Sequence, residues 1–405
     1  MPNTQLQKRV VRTLASAQVL SGIGVAGTFA VGSLLVSSIT DSETLACLAQ
    51  TSAVLGAAAF AIPLARLAAS GGRRLALSVG YLAGVIGSIC AIVGGTQRNI
   101  FLMLLGTFLV GAASAAGYQA RFAAIDLATD ETRAKQLSFV VWGLTIGAVA
   151  GPNLMDPAGN LAENLGLPRL VGPYLISAAT LFFTTIVIQI FLRPDPYLTA
   201  EKQAQVVQFS GSTKAALSHI RSNPLALFAI SAIAIGHVAM VSVMGMTPIH
   251  MAHVDVTLRV IGFVISVHVL GMYAFSPIVG SLSDRLGRIR VIQIGLLILL
   301  ASTIVAGTSA AGNAIKLGIG LFLLGLGWSC TLIAGSALLS ESVSLEMRPA
   351  SQGASDLVMN LAGAGGGALA GVIIGTLSYG WLCLFAAVPV VVLAIQSRRL
   401  AKVRA

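Results

Sequence analysis

Twelve apolar runs, each long enough to cross a bilayer as one helix and separated by gaps that collect the basic residues, constrain this chain more than any other feature. A crossing helix rises 1.5 Å per residue and needs about 20 apolar residues to traverse ~30 Å of hydrocarbon. With Gly, Pro and charged clusters as punctuation, the runs fall at approximately 13–38, 43–65, 74–96, 100–127, 135–154, 170–192, 225–249, 258–281, 290–310, 314–339, 352–376 and 378–397. Inside hydrocarbon every backbone group must find its partner within the chain, so runs of this length are helices. The expectation is an all-α membrane protein of twelve transmembrane helices in two six-helix bundles. Residues 1–193 form the N-terminal bundle, the polar stretch 194–224 is a cytoplasmic linker, and 225–405 form the C-terminal bundle.

Composition agrees with that class and excludes others. Of 405 residues, 56% are hydrophobic and only 10% charged, outside the range of soluble globular domains. A net charge of +11 would suggest nucleic acid in a soluble protein. Here 21 of the 25 Lys and Arg lie in or beside alternate gaps, and only Arg98, Arg169, Arg259 and Lys316 lie in the others. That bias puts both termini in the cytoplasm of a multi-pass protein, with the lipid bilayer and not nucleic acid as its surroundings. Lys8, Arg9 and Arg12 precede an apolar stretch to about residue 38, too long for a cleaved leader, so it reads as a retained first span. Cys47, Cys90, Cys330 and Cys383 occupy four different runs without CxxC spacing, and no zinc site or disulfide framework is readable from them.

The halves echo one another. Span 4 carries Gly106-Thr-Phe-Leu-Val-Gly111 and span 10 carries Gly320-Leu-Phe-Leu-Leu-Gly325, while Glu131-Thr-Arg133 before span 5 answers Glu346-Met-Arg348 before span 11. A weak internal repeat of this kind is the mark of duplicated transporter folds.

Chemistry concentrates in one place. Residues 237–272 are about a tenth of the chain, yet they hold four of its five histidines (His237, His250, His253, His268) and five of its ten methionines (Met240, Met244, Met246, Met251, Met272). Met240 and Met244, and likewise His268 and Met272, are four apart and share a helix face. Thioether sulfur and imidazole together suit a soft cation, Cu(I) first, because thioethers compete poorly for hard ions. Methionine also fills gaps in apolar cores, and an intramembrane histidine also bridges helices by hydrogen bonds. By helix rise, Met244 lies roughly 7 Å, Met240 about 13 Å, His268 about 15 Å and Met272 about 21 Å below the outer boundary, so Met240 and His268 are expected to meet near the midplane. Candidate further ligands are His237, and at the outer end of span 7 Met246, His250, Met251 and His253, which are placed to gather the ion.

Between spans 8 and 9 stands Gly280-Ser-Leu-Ser-Asp284-Arg285-Leu-Gly287-Arg288-Ile-Arg290, which resembles the loop signature of the major facilitator superfamily. The resemblance implies a fold of six plus six spans and a conformational latch of Gly280, Asp284, Arg285, Gly287 and Arg288. There Asp284 sits at a helix N-terminus, whose dipole favours negative charge. The equivalent stretch 65–74 departs from the pattern, with Ala69 where the acid would be, so that half of the latch is expected to be weaker. Gly147-Ala-Val-Ala-Gly151-Pro152 partly matches the superfamily's antiporter element but lacks the glycines that follow it.

Within that superfamily, MxxxM in span 7 followed by HxxxM in span 8 looks like the CcoA-type copper importers of bacteria. The resemblance implies copper uptake across the inner membrane to supply cytochrome oxidase assembly, with Met240, Met244, His268 and Met272 as ligands. Copper is then a transported substrate; no permanently bound cofactor and no enzyme activity are expected, and the unit is read as a functional monomer. Arg121, the deepest basic residue, either pairs with a carboxylate such as Asp126 or Asp356 or contacts an anionic substrate. The second option leads to the alternative reading, an organic-solute carrier for riboflavin uptake or drug efflux.

Overall fold

The computed structural model describes residues 4–41, 45, 48–203, 218, 220–252, 258–310 and 312–403. About 90% is helix and no strand occurs among the described residues. The helices are α1 (Thr4–Thr40), α2 (Leu48–Thr96), α3 (Ile100–Ala123), α4 (Arg133–Asn153), α5 (Met155–Asn164), α6 (Gly172–Phe191) and α7 (Pro196–Gln203). They continue with α8 (Pro224–Ala252), α9 (Leu258–Tyr273), α10 (Ser276–Leu286), α11 (Arg288–Gly307), α12 (Ala314–Ser342), α13 (Arg348–Thr376) and α14 (Tyr379–Val403).

Among the described residues, eleven stretches are helical, long and apolar enough to cross a membrane. One of them, α2, has 49 residues, about 74 Å of helix and more than twice the hydrocarbon thickness. It breaks at Gly72, where φ is 84° and ψ 170°, a conformation that glycine adopts without the Cβ penalty. Counted as two arms, α2 brings the crossings to twelve. The eighth run divides into α9 and α10, because Pro277 lacks the N–H an uninterrupted helix would need and sits instead in the first turn of α10. Helix α5 lies between the predicted runs, and α7 lies inside the polar stretch 194–224.

The chain forms two compact units. Unit 1 comprises Met1–Ala128, Gly143–Lys214 and Leu345–Leu357, and unit 2 comprises Thr129–Trp142, Ala215–Ser344 and Val358–Ala405. Each unit thus takes the first part of one helix, α4 or α13, from the other half of the sequence. In unit 1, α3 packs along both arms of α2 and α1 packs along α6. In unit 2, α12 is the central helix, buried through most of its length and in contact with α8, α9 and α11.

The echoed glycines take equivalent places. A Cβ on Gly106 would fall 2.5 Å from the Ala91 nitrogen in the second arm of α2, and one on Gly111 would fall 2.7 Å from the Ala57 nitrogen in the first arm. In unit 2, Gly320 lies against Ala306 of α11, and Gly325 against the Met272 nitrogen of α9, 2.8 Å from where a Cβ would be. Small residues let backbones approach where apolar side chains gain nothing from leaving lipid.

Candidate functional site

The close approach at Gly325 seats α9 on α12 and buries the His268 side chain completely. His268 Nδ1–H donates to the Leu321 carbonyl oxygen of α12 at 2.8 Å. A carbonyl can only accept, so the neutral ring carries its proton on Nδ1 and its lone pair on Nε2. Nε2 is buried and has no hydrogen-bond partner. One turn on, Met272 is 7% exposed and shares the face packed on α12. Among the described residues no three His, Cys, Asp or Glu converge as a metal-holding group, so thioether sulfur would have to complete a set around His268.

On α8, Met240 is 7% exposed and Met244 half-buried. This helix touches α9 little and packs instead on α12, through Gly236 against Thr331 and Ala229 and Ile233 against Gly335, and on α14, while His237 also lies against Gly363 of α13. The two ligand pairs are therefore joined through α12 and not by a face of α8 laid on α9. Trp328 makes the join. Its Nε1–H donates to His237 Nδ1 at 3.2 Å, and its ring meets Tyr273, beside Met272, edge-on at 5.8 Å. With Nδ1 occupied as an acceptor, the neutral His237 ring carries its proton on Nε2 and serves an interhelical bond. Sequence reasoning missed Trp328, because an aromatic in an apolar run reads as core.

At the far end of α8 the helix continues to Ala252, so Met246, His250 and Met251 are helical and not in a loop. Met251 is fully buried and Met246 half-buried. The His250 ring stacks on Tyr379 at 4.2 Å between centroids, and Tyr379 Oη lies 2.8 Å from Thr247 Oγ1. The stacking places His250 against α14, and Met251 is buried, unlike the open entrance expected from sequence. His253 lies outside the described residues.

In unit 2 the loop signature closes around the start of α4. Asp284 accepts from the Ala134 amide at 3.0 Å and the Lys135 amide at 2.8 Å, capping two N–H groups that the helix itself leaves unpaired. Gly280 lies against Ala134 and Ser138, where a side chain would collide. Arg288 bonds Asp284 at 2.5 Å, Glu341 at 2.8 Å and the Asp130 carbonyl. Gly287 has φ 93° and makes the break between α10 and α11, and Arg285 is exposed.

In unit 1 the corresponding contacts differ. Ala69 offers no acid, and Asp195, from the polar stretch after α6, accepts from the Arg74 amide at 2.7 Å and from the first amides of α7. Arg73 is fully buried and holds Asp126 through Nε at 2.8 Å, Gln119 at 3.0 Å and Gln352 at 2.6 Å. Arg121, 2% exposed, pairs with Asp356 at 2.5 Å, and Gln119 Nε2 donates to the same carboxylate at 3.2 Å. Of the two carboxylates named for Arg121, Asp126 is thus taken by Arg73.

A family model described as Major Facilitator Superfamily matches residues 14–256 and 237–403. The chain belongs to that superfamily. YdeG of Bacillus subtilis strain 168, described as an uncharacterized MFS-type transporter, is 36% identical over 377 residues, covering 92% of this chain and 87% of its own. The riboflavin transporter RfnT of Brucella anthropi is 26% identical over 360 residues, or 89% of this chain and 87% of that one. The crystal structure of the human organic anion transporter MFSD10 matches with a TM-score of 0.76 over 96% of this chain and 99% of that one, at 14% identity, a likeness of fold. As a superfamily member the protein is a multi-pass membrane protein and a secondary transporter, and not an enzyme.

Proposed function

We propose that this superfamily transporter imports copper across a bacterial cytoplasmic membrane by alternating access, as a monomer with both termini cytoplasmic, and supplies cytochrome oxidase assembly. The observation that carries the reading is His268: its Nδ1–H is fixed by the Leu321 carbonyl and its Nε2 lone pair is buried without a partner. Metal-ligating histidines are oriented by this kind of bond on the other ring nitrogen. A buried acceptor left unpaired costs about 1–3 kcal/mol unless something fills its need. The buried sulfurs of Met272 and Met240 supply donors matched to Cu(I) and poorly matched to Zn²⁺ or Mg²⁺. The bias of basic residues toward alternate gaps supports the orientation.

A second reading, riboflavin or another organic solute, is favoured by the relation to RfnT. Against an anionic solute held by Arg121 stands its pairing with Asp356. The deciding experiment is uptake of radioactive copper, and separately of labelled riboflavin, by cells lacking the endogenous carriers and expressing either the wild-type chain or His268→Leu. The copper reading expects accumulation of copper that the variant loses at equal protein levels. Riboflavin uptake, indifferent to His268, would replace it.

A further inference from the structure

Within unit 2, α11 and α14 enclose a groove of about 380 Å³ that none of the candidate copper ligands lines. Its volume falls in the range of pockets that take up small molecules. The floor is made by small residues. A Cβ on Gly307 would fall 2.8 Å from the Cys383 Cβ, and one on Gly380 would fall 3.1 Å from the Gly307 carbonyl oxygen, so the helices cross closely there and neither glycine fills the space over the crossing. The walls are Ile304, Trp381 and Leu384, each more than half exposed. On a membrane protein, outward apolar side chains of this kind face acyl chains.

The groove opens at one edge of the bilayer. Helix α11 has 20 residues, about 30 Å, and runs from the loop signature at Arg288 to Gly307, so the mouth lies at the membrane boundary opposite that signature. Trp381 stands at the depth where interfacial aromatics collect. There Lys316, in the first turn of α12, donates from Nζ to the Thr308 carbonyl oxygen at 2.8 Å, and Thr308 is itself a lining residue. An ammonium has three donors, so two remain for another acceptor. Among the described residues of unit 2 the carboxylates are Asp130, Glu131, Asp284 and Glu341, all at the loop-signature end. The mouth thus carries a positive charge with no described acid facing it, and the first turns of α12 and α14 add the positive ends of two helix dipoles.

We propose that this groove binds an anionic phospholipid, with one acyl chain lying over Gly307 and Cys383 between Ile304, Trp381 and Leu384, and with the phosphate oxygens accepting from Lys316. Lysine meets a phosphate as a compact point charge and demands no single geometry of it. A zwitterionic head suits the mouth less, because its ammonium would meet Lys316 and no carboxylate. Held there, the lipid joins the end of α11 to the starts of α12 and α14. The site is independent of the copper reading.

The chain's three tryptophans supply the reporter. Trp142, which is exposed, is replaced by Phe, leaving the exposed Trp381 and the buried Trp328. The full Trp142→Phe chain is reconstituted in phosphatidylcholine nanodiscs with increasing mole fractions of acyl-brominated phosphatidylglycerol or, separately, acyl-brominated phosphatidylcholine, and quenching of tryptophan fluorescence is measured. Half-maximal quenching is expected at about fivefold lower mole fraction of the phosphatidylglycerol, the preference that one lysine gives for an anionic lipid. Lys316→Gln is expected to remove the preference while quenching by phosphatidylcholine persists, and Ala387→Phe, which fills the groove from α14, to remove it as well. Equal quenching by the two lipids, or a preference unchanged in Lys316→Gln, overturns the proposal. Should Lys316→Gln fail to fold, a preference unchanged in Ala387→Phe overturns it equally. Absence of quenching by either lipid, as a second copy of the chain covering the groove would give, overturns it too.

Discussion

Asp284→Asn is the most direct probe of the latch, because the amides it caps report on themselves. The carboxylate accepts from the Ala134 and Lys135 amides and from Arg288, with both partner side chains about 7% exposed. Asparagine retains one acceptor oxygen and presents an N–H₂ at the other position, facing a donor. One hydrogen bond to a charged group is lost, about 1.5–3 kcal/mol, and with it the favourable charge at the α4 N-terminus, up to ~2 kcal/mol. These overlap, since the same bond supplies both, and Arg288 keeps Glu341 and the Asp130 carbonyl. A net of about 2 kcal/mol corresponds to roughly 30-fold in the local opening equilibrium. Hydrogen exchange of residues 133–136 is expected to accelerate by that factor, while 345–357 is unchanged and substrate binding persists with slower turnover. Equal protection of the Ala134 and Lys135 amides in wild type and variant would refute the capping role.

Three further substitutions test other parts of the molecule. Met240→Leu, which preserves apolar volume at a cost below about 1.5 kcal/mol as packing, is expected to abolish copper accumulation at normal protein levels, whereas Met103→Leu and Met359→Leu, both fully buried outside the cluster, leave uptake nearly intact. Trp328→Phe removes the indole hydrogen bond to His237, so the thermal midpoint should fall by the equivalent of about 0.5–1.5 kcal/mol. Arg73→Met strands the fully buried Asp126 and is expected to cost about 3–5 kcal/mol, read as loss of monodisperse protein on size exclusion, while Arg73→Met with Asp126→Leu recovers most of it.

The crossings were legible in sequence because hydrocarbon admits little else: an apolar run of about 20 residues has only the helix open to it. Where helices end was less so. The gap expected between the second and third runs closes to one residue, Gly72, because a single positive φ turns the chain and Asp195 pairs with the amide beyond it. The echo of Gly106 and Gly111 in Gly320 and Gly325 pointed to a duplicated fold but not to the helices these glycines let approach, which depend on contacts far along the chain. The same holds at the candidate site. Spacing of four put Met240 with Met244 and His268 with Met272 on common faces, yet it carries no information on what those faces meet. That α12 intervenes, with Leu321 orienting His268 and Trp328 linking His237 to Tyr273, follows from a pairing between residues 53 to 91 positions apart.

The borrowed helix starts have a consequence for how this protein is made. Unit 1 lacks residues 345–357 until nearly nine-tenths of the chain has left the ribosome. Arg121 and Asp356 are 235 positions apart, so at roughly 5–20 residues per second the arginine waits on the order of ten to fifty seconds for its counter-charge. During that interval a guanidinium destined for complete burial must be kept hydrated, or shielded by the insertion machinery or lipid headgroups. The first six crossings, released early, would form a bundle with two cations still seeking Asp356 and Gln352. Biogenesis of the two halves is therefore entangled, and a nascent chain truncated before α13 should be a marked substrate for membrane quality control.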